Sequence, residues 1–223
     1  MNDQPVPSRI SHRDRIYDAL VQRIRTGLLG WEDRLVDVTL AAELGVSRMP
    51  VRDALLRLVA EGYLSPTTRG FTLPRLTDEQ VLEVFTLRRL LEPRAAAMAA
   101  QAMTAPALDL VAAAVADAAQ AAKGADVPAL FRASEAFRNG WLSVVPNAAL
   151  VETIRRYFVQ IQNVRLITLQ EPDTMRIIVE GQDDLLTAFR AGDALAAADR
   201  MLRFVVEGEQ AFLRAGPGPA QGA

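Results

Sequence analysis

Arg48 and Arg52 stand one helical turn apart in the stretch SRMPVRDALLRLVAEGYL, just after Gly45, and Arg69 falls in the turn Ser-Pro-Thr-Thr-Arg-Gly that follows. A guanidinium offers paired donors to guanine O6 and N7 or to a phosphate, so arginines gathered on one exposed edge could read or clamp duplex DNA. The chain holds little other reactive chemistry: it has no cysteine, and His12 is its single histidine. Disulfides, thiolate metal sites and cysteine nucleophiles are therefore excluded. No glycine-rich phosphate loop or recognisable serine nucleophile is present, and the expectation is that the protein is not an enzyme. Two arginines on an amphipathic helix are also what an ordinary solvated face looks like. The elements that hold them separate the two readings.

In SHRDRIYDALVQRIRTGLL, Ile16, Leu20, Val21 and Ile24 recur at helical spacing, with Gly27 as a natural stop. The segment RLVDVTLAAELGV puts Leu35, Leu40 and Leu44 on a short second helix ending at Gly45, where a left-handed conformation costs nothing. Ser47 is expected to cap a third helix by accepting a bond from a free backbone N–H, and Pro50 is tolerated in its first turn. On that helix Val51, Leu55, Leu58 and Val59 form the apolar stripe. Met49, Arg52 and Asp53 point away from it, and Arg48 sits at the edge of the same end. Tyr63, Leu64, Phe71 and Leu73 then flank a tight turn with Arg69 near its tip, a compact hairpin. Helix, short helix, turn, arginine-headed helix and basic-tipped hairpin is the order of a winged helix-turn-helix. In that geometry the start of the second motif helix meets base edges in the major groove, which is where Arg48 and Arg52 stand.

The whole chain has 223 residues and a mass of 24.3 kDa, half of its residues are hydrophobic, and its formal net charge is -2. Up to residue 76 it carries eleven arginines against nine acids, and the remainder is net acidic, so the basic side lies with the motif. No run of eighteen apolar residues occurs, and Met1 to Ser8 is polar with two prolines. Neither a membrane span nor a signal peptide is expected, and the chain reads as cytoplasmic. From Leu76 onward no strand pattern recurs. Thr77, Thr104, Asp126, Asn147, Asp173 and Asp193 each precede an apolar-periodic stretch, which predicts six helices, with a kink at Pro93 in the first. The expected fold is mainly α: a winged helix-turn-helix over 1–75, an all-helical bundle over 76–214, and a disordered tail over 215–223.

The run LVDVTLAAELGVSRMPVRDALLRLVAEGYLSPTTRGFTL resembles the DNA-binding half of the GntR superfamily of bacterial transcription regulators. The resemblance implies DNA contacts from Ser47, Arg48, Met49, Pro50 and Arg52, and from Arg69 and Gly70 on the wing. Asp53 stands where many members have Glu, and Val38 and Thr39 where relatives are often charged. FTLRRLLEPRAAAMAA, SEAFRNGWLSVVPNAAL and LLTAFRAGDALAA in turn resemble the all-helical FCD effector domain of the FadR branch.

Many FCD domains hold a divalent metal through an Asp and three His, and the resemblance puts Ser134, Arg138, Gln182 and Phe204 at those positions. None is a usual strong ligand, and Arg138 repels a cation, so no metal and no cofactor are expected. The implied effector is a small organic anion, commonly a carboxylate, held by the Arg138 guanidinium with help from Arg88. Ser134 and Gln182 would serve as neutral donors and Phe204 as an apolar wall. Alternatively, Arg138 pairs with Glu135 or another acid within a filled core. The function implied is a ligand-responsive regulator, a repressor in the commoner family outcome, that binds a palindromic operator in double-stranded DNA as a homodimer. The other reading is a helical small-molecule or protein-interaction module whose winged helix no longer reads DNA.

Overall fold

The computed structural model describes residues 12–25, 28–29, 33–74, 76–161 and 172–215 of the chain. It divides into two compact units, Met1–Arg75 and Leu76–Ala223. The stop expected at Gly27 and the tail beyond residue 215 lie outside the described residues.

The first unit contains α1 (His12–Arg25), α2 (Asp37–Leu44), α3 (Arg48–Ala60) and a hairpin of β1 (Ser65–Thr67) and β2 (Gly70–Thr72). Its core is built from the apolar faces of the helices. Ile16, Leu20, Val21 and Ile24 of α1 and Val51, Ala54, Leu55 and Leu58 of α3 are all buried, and α3 packs on both α1 and α2. Gly45 closes α2 at φ 63, and the amides of Gly45 and Val46 return to the carbonyls of Ala42 and Ala41. That reversal aims the start of α3 outward. The antiparallel hairpin pairs Ser65 with Thr72, Pro66 with Phe71 and Thr67 with Gly70.

Two local expectations are corrected. Leu35 lies outside α2, whose first residue is Asp37; it bridges instead to Phe71, exchanging N–H to O bonds of 2.8 and 2.9 Å. Ser47 holds the N-cap position of α3 with extended backbone, but its side chain makes no cap bond. An N-cap side chain bonds the amide at N2 or N3; N3 here is Pro50, which has none, so one of the two amides is lost.

In the second unit the described helices are α4 (Asp78–Ala102), α5 (Ala105–Lys123), α6 (Val127–Leu142), α7 (Ala148–Gln160), α8 (Pro172–Ala191) and α9 (Ala194–Ala215). Caps explain most of the starts. Thr77 and Gln80 form a reciprocal capping box, and the side chains of Thr104, Asp126, Asn147 and Asp193 each accept from an amide two or three residues on. Asp173 is not a cap, because α8 begins at Pro172 and Asp173 falls in its first turn. α4 runs unbroken through Pro93, although the proline leaves the Arg89 carbonyl without its intrahelical donor.

α4 packs along α9, α5 along α6, and α8 against α5 and α9. Small residues allow these approaches: Ala95, Ala96 and Ala99 of α4 and Ala197 of α9 are fully buried. α5 is long and apolar enough by composition to cross a membrane. Val111, Ala114, Val115 and Ala118 are nevertheless buried, as on the inner face of a core helix.

Candidate functional site

The first candidate surface is the start of α3. The Arg48 and Arg52 side chains are 57% and 53% exposed, and Met49 is 65% exposed. Beneath them lies a carboxylate that sequence reasoning did not single out. Asp37, in the first turn of α2, is only 8% exposed. Arg48 Nε donates to Asp37 Oδ2 at 2.8 Å, and Arg52 Nη1 stands 4.0 Å from the same oxygen. The hydrogen bond from Arg48 is the main cause holding the Asp37 carboxyl below its ordinary value. The only sequence signal for this residue was an acid in the opening turn of a short helix, which a helix dipole explains equally well.

On the wing, Arg69 occupies the exposed turn between the strands, and its backbone N–H donates to Thr67 Oγ1 at 3.3 Å. Gly70 has φ +135, and a Cβ there would lie 2.4 Å from the Leu35 carbonyl oxygen. Glycine at this position is therefore explained by backbone packing alone. Ser47, Arg48, Met49, Pro50 and Arg52 share one helix start, with Arg69 and Gly70 on the hairpin of the same unit. A second anchor fixes the far end of α3. The Tyr17 hydroxyl donates to Glu61, while Arg57 bonds Glu61 at 2.9 Å and stacks 3.9 Å from the Tyr17 ring centroid. Burial, reinforced by Glu61, pushes the Tyr17 phenol far up.

The second candidate is a cavity inside the helical unit, about 70 Å³ in volume. α4 lines it with Phe85, Arg88 and Glu92, and α6 with Ser134, Phe137, Arg138 and Trp141. α8 contributes Thr174 and Gln182 among others, and α9 contributes Met201, Phe204 and Gly208. All five residues that the sequence nominated for an effector, Arg88, Ser134, Arg138, Gln182 and Phe204, thus border one space.

Its polar groups are already partly engaged. Arg88 Nε donates to Glu92 Oε1 and Arg138 Nη1 to Glu135 Oε1, each at 2.5 Å. The pairing of Arg138 with Glu135, weighed above as a sign of a filled core, therefore exists beside an open cavity. Both guanidiniums also sit on the Phe158 ring of α7, at 3.2 Å for Arg138 and 4.9 Å for Arg88. Phe158 was missed. Its signal was the spacing Val151, Ile154, Phe158 along α7 with Ile161 just beyond it, which reads equally well as plain core. Gln182, 2% exposed, donates one N–H of its amide to Ser134 Oγ at 3.1 Å. Its Oε1 is a buried acceptor with no partner.

The positions that the resemblance assigns to metal ligands carry a hydroxyl, a guanidinium, an amide and a phenyl ring. This donor set does not fit a divalent cation. Among the described residues, no three His, Asp or Glu side chains come together as a metal site.

A winged helix with an arginine-headed motif helix, joined in one chain to an all-helical unit with an internal cavity, defines a class of two-unit regulatory proteins. The chain belongs to the gntR family of bacterial regulatory proteins, matched over residues 12–72, and carries an FCD domain over residues 83–207, more than half its length. It is 41% identical over 73 residues to the Nta operon transcriptional regulator of Aminobacter aminovorans, covering 32% of this chain and 35% of that one. It is 36% identical over 91 residues to the HTH-type transcriptional regulator McbR of Escherichia coli, covering 40% of this chain and 41% of McbR. The matches span only about a third to two fifths of these curated relatives. The solved structure of E. coli McbR/YncC superposes with a TM-score of 0.78 at 25% identity, over 92% of this chain and 99% of that one. A regulator from Rhodococcus superposes at 0.68 with 22% identity and shares the fold.

Proposed function

We propose that this chain is a ligand-responsive DNA-binding transcription regulator, a repressor, that binds a palindromic operator as a homodimer in the cytoplasm. The observation that carries the reading is the exposed start of α3, where Arg48 and Arg52 project from a buried stripe beside a wing tipped by Arg69. Ser47, Met49, Pro50 and Gly70 complete the DNA face. One winged helix spans few base pairs, so two-fold pairing on a palindrome supplies affinity and specificity. The effector is a small organic acid, bound without a metal in the FCD cavity. Arg138 and Arg88 take its anion, Ser134 and Gln182 its polar edge, and Phe204 its apolar body. Effector binding shifts the population competent for DNA.

A mobility-shift assay on the protein's own upstream DNA tests the first half. Wild type binds selectively and Arg52→Ala loses selectivity; equal, weak, unselective binding by both sinks the reading. A thermal-shift screen against organic carboxylates tests the second, with stabilisation expected for wild type and lost in Arg138→Ala. A second reading is favoured by one observation, the hold of Asp37 on both arginines: the winged helix has turned from DNA to protein contacts. That reading predicts that the chain shows no salt-dependent affinity for DNA.

A further inference from the structure

We infer that Asp37 is a positioning residue for DNA reading: it grips Arg48 from beneath by the Nε side, so that the Nη1 and Nη2 end of the guanidinium is presented outward to a base. This rests on the DNA-binding reading above. The burial is what makes the carboxylate a support rather than a competitor. Asp37 is 8% exposed whereas the two arginine side chains are more than half exposed, so the acid lies on the protein side of the guanidiniums. It belongs to α2 and the arginines to α3, so the contact ties the two helices of the motif at the point that faces DNA.

Two consequences of opposite sign follow from this geometry. Arginine gives up rotamer freedom when it docks on a base, and a side chain oriented beforehand gives up less. Bidentate reading of guanine uses two parallel N–H donors. With Nε engaged at 2.8 Å, the end-on pair Nη1 and Nη2 is the edge left for that contact. Asp37 therefore raises discrimination between sequences. It also cancels one of the two positive charges that Arg48 and Arg52 bring to the surface, which lowers the attraction to any phosphate backbone. A residue that merely held the fold would shift both kinds of binding in the same direction.

The test uses the full-length chain and measures affinity for its upstream operator and for a scrambled duplex of equal length across a salt series. Asp37→Asn keeps the shape and removes the charge. Its operator-to-scrambled ratio is expected to fall about ten-fold, the scale of one bidentate base contact. Its affinity for scrambled DNA at low salt should rise, with the slope of log affinity against log salt steeper by about one. Asp37→Ser serves as a second variant, and circular dichroism melts establish that both are folded. Arg48→Ala should cost less selectivity in the Asp37→Asn background than in wild type, because the two residues act as a unit. A folded Asp37→Asn that keeps wild-type selectivity, or that loses operator and scrambled affinity in equal measure, overturns the inference and leaves the regulator reading standing. Unselective binding by wild type itself overturns both.

Discussion

At the scale of single residues, the most informative groups are those whose charge is set by a neighbour. Asp37 shows it best. Arg48 stabilises its ionised form, so the folded carboxyl titrates below the ordinary value of 3.8. A depressed folded value means that the pairing contributes its full stability above pH 3.8 and loses it as pH falls through the lower folded value. Acid melts followed by circular dichroism should therefore show the N-terminal unit weakening below about pH 4, and Asp37→Asn should flatten that part of the curve. Equal acid sensitivity in the two proteins would mean that the pair contributes nothing to folding. The arginines were legible from the chain because a motif fixed where they point. Their partner was not, because the carboxylate reaches them across the Gly45 turn and nothing in the spacing of Asp37 records that approach.

Packing of whole elements decides how much room the cavity keeps. α8 and α9 meet at Gly181, where a Cβ would stand 2.4 Å from Cδ2 of Phe204. That ring is one wall of the cavity, and glycine opposite it lets the wall stand back. Gly181→Ala should cost about 1–3 kcal/mol by overpacking, read as a lower melting temperature. A stabilising ligand from the carboxylate screen should bind the same variant more weakly, because Phe204 is driven toward the space the ligand needs. Unchanged ligand affinity with a lowered melting temperature would assign Gly181 to packing alone. Helix starts were readable wherever a Thr, Asp or Asn side chain met a free amide. The exceptions have local features: Pro50 removes one of the two amides that Ser47 could bond, and Pro172 begins α8 one residue before Asp173.

For the whole molecule, the proposed function requires that effector binding in one unit and operator binding in the other be linked through one free energy. If the effector weakens operator binding by some factor, saturating operator must weaken effector binding by the same factor. Isothermal titration of effector with and without operator duplex should return matching ratios, and a mismatch would mean that the two ligands do not act on one equilibrium. The chain by itself determined the two architectures, since apolar periodicity, caps and the Gly45 turn are local matters of a few residues each. It also singled out the arginine-headed helix, because a motif of fixed geometry carries its own directions. Only the tertiary structure decided which charges meet: Asp37 beneath Arg48, Glu92 on Arg88, and Phe158 under two guanidiniums while the space beside them stays open. Those contacts form between side chains whose separation is set by how helices cross, and helix crossing depends on the volumes of every residue in the interface at once.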